Sequence, residues 1–288
     1  MARRVLKVVK ERKLAQFIPP PAGSAVLEAS GVVAKGDHYY VIFDNVRQIA
    51  RVDRRLVAGA KANGWFGRPR EGDGYEDIAY SPERRRFYLL IEAEKHPDGT
   101  YKAQIDECSE SGRFERRRWV EVAFEKRNTG FEGLVAVRRE GKDYLLALCE
   151  GNRCRAGRRG NKPGGGRIHV LEKTGKIWEP VERIKLPPNL DFEDYSAVAL
   201  RGDRIAVVSQ ESSRLWIGRL RVDDWKIVGT GRVFDFPRTK KGKPMYCTVE
   251  GLCWISDDTF VAVSDLSKRR HSGRCRKKDE SIHIFRVP

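Results

Sequence analysis

Apolar residues in this chain gather into short runs, and five of these runs are apolar at nearly every position. They are Tyr39-Tyr40-Val41-Ile42-Phe43, Phe87-Tyr88-Leu89-Leu90-Ile91, Tyr144-Leu145-Leu146-Ala147-Leu148, Ile205-Ala206-Val207-Val208 and Phe260-Val261-Ala262-Val263. A strand exposed on one face would alternate apolar with polar, so these runs read as strands covered on both faces. Each follows a hairpin-type turn rich in Gly, Pro or Asp: Lys35-Gly36-Asp37, Ser81-Pro82-Glu83-Arg84, Arg139-Glu140-Gly141-Lys142, Arg201-Gly202-Asp203 and Ser256-Asp257-Asp258. Ahead of each turn lies another strand, opened by a glutamate: Glu28, Glu76, Glu132, Glu193 or Glu250. A third strand follows each run, as in Arg167-Ile168-His169-Val170-Leu171 and Ser281-Ile282-His283-Ile284-Phe285.

Steps of 48, 56, 61 and 57 residues separate the glutamates. Self-similarity at this period, built from short strands, predicts an all-β fold, a five-bladed β-propeller. The last repeat has only three strands before Pro288, and Val5-Leu6-Lys7-Val8-Val9 is the candidate for its fourth. An N-terminal strand completing the last blade would close the ring and leave no open edge. Six blades is the alternative, if the weakly patterned stretch 53–73 conceals a degenerate repeat.

No composition shift or Ser/Pro-rich linker interrupts the repeat, so residues 1–288 read as one β-propeller domain. Apolar content of 40%, with nine Tyr, twelve Phe, six Trp and only two Met, suits a packed core made of strands. No apolar run reaches the roughly 18 residues that span a bilayer, so no membrane association is expected. The basic N-terminus lacks the apolar core of a signal peptide. The expectation is a monomeric, cytoplasmic protein. Reduced thiols are then expected for Cys108, Cys149, Cys154, Cys247, Cys253 and Cys275. Cys149, Cys154 and Cys275 form at most a weak soft-metal candidate, since no Cys-x2-Cys pair is present.

The formal net charge of +17 favours acidic partners, an anionic small molecule or a polyanion. The triplets Arg84-Arg85-Arg86 and Arg116-Arg117-Arg118 have no interleaved aromatics to stack bases and read as solvated surface.

A propeller gathers the equivalent position of every blade around one axis, so Glu28, Glu76, Glu132, Glu193 and Glu250 should meet there. At about 5 Å and an effective dielectric near 20, each neighbouring pair would repel by roughly 3 kcal/mol. A domain holds only about 5–15 kcal/mol in reserve. Either some of these groups hold protons, or a cation sits among them. An all-oxygen donor set suits Ca²⁺ better than Mg²⁺ or Zn²⁺. Alternatively, some glutamates turn aside to cap backbone groups or to pair with arginines.

A second set of polar groups ends the apolar runs: Asp44, Glu92, Glu150, the pair Gln210-Glu211, and Asp265. Long loops follow in the third and fifth repeats, each carrying Arg-Cys-Arg (Arg153, Arg155; Arg274, Arg276). Acidic groups at the axis ringed by these four arginines would hold a phosphate between a divalent cation and guanidinium forks. They would equally make an internal salt-bridge rim. For catalysis, Glu150 or Glu211 is the candidate to orient water, with Arg153, Arg155, Arg274 and Arg276 as anion holders. Gly164-Gly165-Gly166 lacks the Gly-Lys-Ser/Thr ending of a phosphate loop, and no nucleophile-elbow or His-Glu-x-x-His motif is present.

Phe131-Glu132-Gly133-Leu134 and Val249-Glu250-Gly251-Leu252 resemble segments of two propeller groups. These are the calcium-activated nucleotidases (soluble apyrases) and the esterase-like phytase and SdiA-regulated proteins. The resemblance implies an axial Ca²⁺, with Glu28, Glu76, Glu132, Glu193 and Glu250 as ligands or ligand supports. It implies substrate contacts for neither group, because no matching residues are present. Two functions follow: a Ca²⁺-dependent hydrolase of a phosphorylated or anionic small molecule, or a non-catalytic propeller scaffold binding a protein or polyanion at its basic rim.

Overall fold

A computed structural model describes residues 4–21, 25–72, 74–127, 129–266 and 272–288. Antiparallel four-stranded meanders form wherever the sequence alternates an apolar run with a Gly- or Asp-containing turn. The first is Ala29–Lys35, His38–Phe43, Val46–Asp53 and Gly64–Arg70. The second is Ile78–Ser81, Arg86–Lys95, Tyr101–Ser109 and Phe114–Phe124. The third is Phe131–Arg139, Lys142–Cys149, Arg167–Thr174 and Ile177–Lys185. The fourth is Ala197–Arg201, Arg204–Ser209, Arg214–Arg221 and Lys226–Asp235. The last meander, Val249–Trp254, Thr259–Ser264 and Ser281–Arg286, takes its outer strand, Lys7–Lys13, from the N-terminus. Stretch 53–73 supplies the outer strand of the first meander.

The first strands of successive meanders touch in cyclic order, and Val249–Trp254 returns to Ala29–Lys35. The architecture is that of a β-propeller. Its core lies in the seams between blades: each seam holds one apolar cluster drawn from the two blades that flank it. That is why the second strands are apolar on both faces. Ahead of Lys7–Lys13, Arg4–Val5 pairs in parallel with Phe234 and Asp235 of the fourth blade, so the N-terminal segment clasps two blades. Between the two pairings, Leu6 is buried in the seam, 2% exposed. Among the described residues, no helix is long and apolar enough to cross a membrane.

Two expectations need correction. Four of the six cysteines are bonded, Cys149 to Cys154 and Cys247 to Cys275, leaving Cys108 and Cys253 free. The arginine triplets are also not simply solvated. Asp106 and Glu107 are wholly buried on the third strand of the second blade. Arg117 grips Asp106 through Nε and Nη2, at 2.6 and 2.9 Å. Arg118 donates to Glu107 at 2.7 Å and is itself buried. Arg86 reaches Glu107 at 3.0 Å. Such pairs hold because the guanidinium fork saturates a carboxylate that water cannot reach.

Leu6→Ala tests the clasp. Truncating a buried leucine costs about 3 kcal/mol, read as a lower denaturant midpoint. An unchanged midpoint would place the N-terminal segment outside the cooperative fold.

Candidate functional site

Four levels of side chains surround the axis. They are set by a β-bulge that recurs where each first strand enters its blade. In the third blade Phe131 pairs with Cys149 and Gly133 with Leu148, which skips Glu132. In the fifth, Val249 pairs with Ser264 and Gly251 with Val263, which skips Glu250. The first blade skips Ser30 in the same way, between Ala29↔Phe43 and Gly31↔Ile42. The second and fourth blades place Glu76 and Ser196 at this point, since each donates its N–H to the carbonyl that ends the pairing, Leu90 or Val208. A bulged residue re-aims its side chain. The inner ring is therefore Ser30, Glu76, Glu132, Ser196 and Glu250.

This arrangement keeps three of the five expected ring glutamates and relocates two. Glu28 lies two residues before Ser30, nearer the mouth, where it meets Asp44 and Glu280. Glu193 is exposed and away from the ring, because its blade reaches the bulge three residues later, at Ser196. Both serines instead stitch blades together. Ser30 donates its hydroxyl to the Tyr75 carbonyl, and Ser196 to the Val249 carbonyl at 2.8 Å.

One level outward lie the groups that follow the apolar runs of the second strands: Asp44, Glu92, Glu150, Gln210 and Asp265. The charges that act most strongly on Glu76 are those of Glu92, Asp44, Glu150 and Asp265, every one acidic. Glu132 is acted on by Glu76, Glu150, Glu250 and Glu92. For Glu250 they are Asp265, Glu76 and Asp44, partly relieved by a hydrogen bond from Gln210. These three glutamates retain some contact with the channel space, although protein surrounds them on every side. Burial first, and like charge second, hold all three well above the usual carboxylate range. Among the described residues, no lysine or arginine forms an ion pair with any of them.

Asp265 is pushed up to about 7, by burial and then by Asp44, Glu28 and Asp279, against a backbone hydrogen bond from Leu266. Its Oδ1 is buried with no hydrogen-bond partner among the described residues. Asp194 is raised to about 6 by burial, despite donors at Ser209 (2.5 Å) and the Glu211 N–H (3.2 Å). A cavity of about 410 Å³ opens at this acidic mouth, bordered by Asp44, Glu76, Glu92, Glu94 and Arg127.

Below the ring the axis changes character. Gly31, Gly133, Ala197 and Gly251 occupy one level, and the fifth residue there is Asp77. A Cβ at Gly31 would come within 2.6 Å of Asp77 Oδ1. Asp77 is 2% exposed and accepts backbone N–H bonds from Leu134 at 2.6 Å and Ile78 at 2.8 Å. Burial still lifts it well above the ordinary aspartate range. Beyond it lies a cavity of about 650 Å³ lined by all five inner strands, with Val, Leu and Ala side chains and also Glu83, Arg138 and Arg201. Asp77 therefore separates the acidic mouth from a half-channel of mixed lining. Pattern reading missed it because the neighbouring Glu76 supplied the repeat motif. The signal lay in Asp77 standing where the other repeats have Gly or Ala.

Of the other candidates, Glu150 sits at the mouth and acts on Glu76 and Glu132. Glu211 is exposed one residue beyond Gln210, its backbone N–H held by Asp194. Arg155 pairs with Glu125 at 2.6 Å, and Arg274 donates to the Pro244 carbonyl at 2.9 Å. Arg153 takes a left-handed backbone (φ 57°), and Arg276 is exposed at the end of a four-residue helix. None of the four is among the charges acting most strongly on Glu76, Glu132, Glu250 or Asp265.

Oxygen is the only donor type at the mouth, and Asp265 Oδ1 has no partner, so the residues fit a hard cation. Among the described residues, no three of the carboxylates have oxygens within 4.8 Å of one another. A cation would draw these side chains inward or hold some through water. Cys149, Cys154 and His169 do lie that close, but the two sulfurs are bonded to each other. Ser264, His283 and Glu11 line up at 3.0 and 3.1 Å like a nucleophile, base and acid. Ser264 and His283 are both completely buried, so no substrate reaches them.

The sequence matches no protein-family model and no curated protein. Its fold is similar to that of Myxococcus xanthus glutaminyl cyclase (14% identity, 99% of this chain and 97% of that one, TM-score 0.54). It is also similar to a PQQ-bound aldose sugar dehydrogenase from Streptomyces coelicolor (13% identity, 98% of both chains, TM-score 0.50). A GH43_1 enzyme from Xanthomonas citri is similar at 11% identity over 96% and 91% of the two chains, TM-score 0.50. At these identities the likeness is one of β-propeller fold alone.

Proposed function

We propose that this chain is a five-bladed β-propeller that binds a divalent cation, Ca²⁺ by preference, at the acidic mouth of its axial channel. There the ion would polarise a phosphorylated or otherwise anionic small molecule for hydrolysis. One observation carries the reading: Glu76, Glu132 and Glu250 are enclosed around one axis with acidic neighbours and no basic partner among the described residues. Asp44 and Asp265 would be ligands from the mouth, with Glu76, Glu132 and Glu250 beneath them. The ion supplies Lewis acidity when bound. The chain's own residues hold it, exclude bulk water below the ring through Asp77, and offer Glu150 to orient an attacking water.

A second reading, a non-catalytic propeller with a structural ion, draws on the engagement of Arg155 and Arg274 by Glu125 and Pro244. Those two side chains would have to leave their partners to hold a substrate. In that case the basic exterior would serve a protein or polyanion, with steep salt dependence.

The pH dependence separates apo from loaded protein. Acids whose folded pKa is raised hold protons that the unfolded chain releases. They therefore favour the fold below about 4.5 and disfavour it as pH climbs through 6 and 7, the values of Asp194 and Asp265. In chelator the melting temperature is expected to fall steadily from pH 5 to pH 8. Ca²⁺ at a hundredfold excess over Kd adds about 3 kcal/mol. That gain should reverse most of the fall at pH 8 and change little at pH 5. A melting curve flat across this range and indifferent to both additions would refute the cation site.

Glu132→Gln removes one of the mutually repelling charges. The variant is expected to melt higher than the parent in chelator at pH 8, and to lose about tenfold or more in Ca²⁺ affinity by calorimetry. A variant destabilised without ion and unaltered in Ca²⁺ affinity would show Glu132 to be a structural partner only.

Catalysis is checked by phosphate release from aryl phosphates and nucleotides. Ca²⁺-dependent turnover lost in Glu150→Gln, with the fold and ion retained, favours the hydrolase. Ion binding without turnover on any substrate favours the scaffold.

A further inference from the structure

The seam between the first and second blades is underfilled. It holds nine fully buried apolar residues, whereas the other four seams hold fifteen or sixteen each. Here lies a cavity of about 540 Å³, within the range of small-molecule sites, with Arg47 standing between it and Glu94 of the axial-mouth cavity. We propose that this lateral cavity is a binding site for a small planar apolar anion, an aromatic ring carrying one acidic group.

Its floor is apolar, formed by Ile49, Leu89 and Cys108, each 3% exposed or less. Phe66 of the first blade and Phe114 of the second both line it. A flat ring lodged there would gain aromatic contact. The charged groups of the lining are all cationic. Arg47 is 5% exposed, and its Nε is buried with no hydrogen-bond partner among the described residues. Its Nη1 donates to the Glu71 carbonyl at 3.2 Å and its Nη2 lies 3.7 Å from Glu94, which fixes the guanidinium in place. A buried donor without an acceptor is costly, and a ligand oxygen would satisfy it. Arg68 and Arg113 flank the opening, exposed, and no carboxylate pairs with either among the described residues. The Arg70 guanidinium carbon lies over Phe114, 3.3 Å from the ring centroid, which steadies that side chain.

The backbone is shaped to keep the space open. Gly67, in the outer strand of the first blade, and Gly112, in a hairpin of the second, meet edge to edge with φ of +76° and +78°. A Cβ on Gly67 would lie 2.6 Å from the Gly112 carbonyl, and one on Gly112 would strike Phe66 at 2.6 Å. Two side-chain-free positions thus bridge the blades across the mouth without filling the space beneath.

The test uses full-length protein, calorimetric titration, and three probes: 2-naphthoate, its neutral counterpart 2-naphthylmethanol, and inorganic phosphate. Naphthoate is expected to bind one to one and about tenfold more tightly than the alcohol, since a charge-assisted hydrogen bond is lost in the alcohol. Phosphate alone should bind far more weakly than naphthoate. Arg47→Gln should abolish the preference for the charged probe, but Arg47 is buried and the variant can fail to fold. Arg68→Ala/Arg113→Ala and Phe114→Ala alter exposed side chains, and each should weaken naphthoate severalfold with the melting temperature retained. Equal affinity for acid and alcohol, no saturable binding, or binding unchanged in both exposed variants would overturn the proposal.

Discussion

Like charge confined around a single axis is the constraint on which the rest of this molecule turns. The formal net charge is +17, yet the channel gathers carboxylates from every blade, the fourth through Asp194. Each glutamate of the inner ring is enclosed by protein, so its field is poorly screened by salt. The fold contains this repulsion in two ways. Only three of the five ring positions are acidic. The other two, Ser30 and Ser196, turn a would-be charge into a hydrogen bond that ties one blade to the next. With three charges instead of five, pairs within the ring fall from ten to three. The repulsion that remains comes largely from the mouth, Glu92 and Asp44 on Glu76 and Asp265 on Glu250, and protonation or a divalent cation relieves it.

The bulge makes this arrangement constructible from strands. A regular strand would send successive side chains to opposite seams and leave nothing for the axis. Skipping one residue in the ladder releases a side chain from the seam alternation and turns it inward. The same device explains why small residues follow the ring: Gly31, Gly133, Ala197 and Gly251 lie where inner strands come closest together. Asp77 breaks that rule. Its carboxylate accepts N–H groups from its own strand and the next, so the one large residue at this level acts as a plug.

The repeat, the strand order, the N-terminal closure and three of the ring glutamates were legible because periodicity and turn chemistry act locally. What misled was register. Leu27-Glu28-Ala29-Ser30 and Phe192-Glu193-Asp194-Tyr195 resemble the other motif copies by eye, but their bulges fall two and three residues later, at Ser30 and Ser196. Small residues after those serines, Gly31 and Ala197, were the available cue. Disulfide partners were not legible: Cys247 and Cys275 lie 28 residues apart, and only the fold brings them together. Nor could pattern alone show that the arginine triplets face buried acids, because the acids sit on a neighbouring strand.

Strand alternation places a buried ion-pair cluster in each seam of the second blade. Asp106 and Glu107 are adjacent, so their side chains leave opposite faces of the second blade. On the paired outer strand, Arg117 meets Asp106, and Arg118, with Arg116 at 4.0 Å, meets Glu107. Lys173 of the third blade completes the Glu107 side at 2.9 Å. Toward the first blade, Asp106 is met by Tyr75 at 3.1 Å and by Arg70 at 3.8 Å. A buried carboxylate must keep polar company, since stripping away one partner of a buried pair costs on the order of 3–5 kcal/mol. Both seams of the second blade therefore carry a buried carboxylate with its cations, and the second-to-third seam packs fully around Glu107 all the same. The first-to-second seam differs in having fewer apolar residues beside its ion pair, and the cavity lined by Arg47, Arg70, Ile49 and Leu89 lies there.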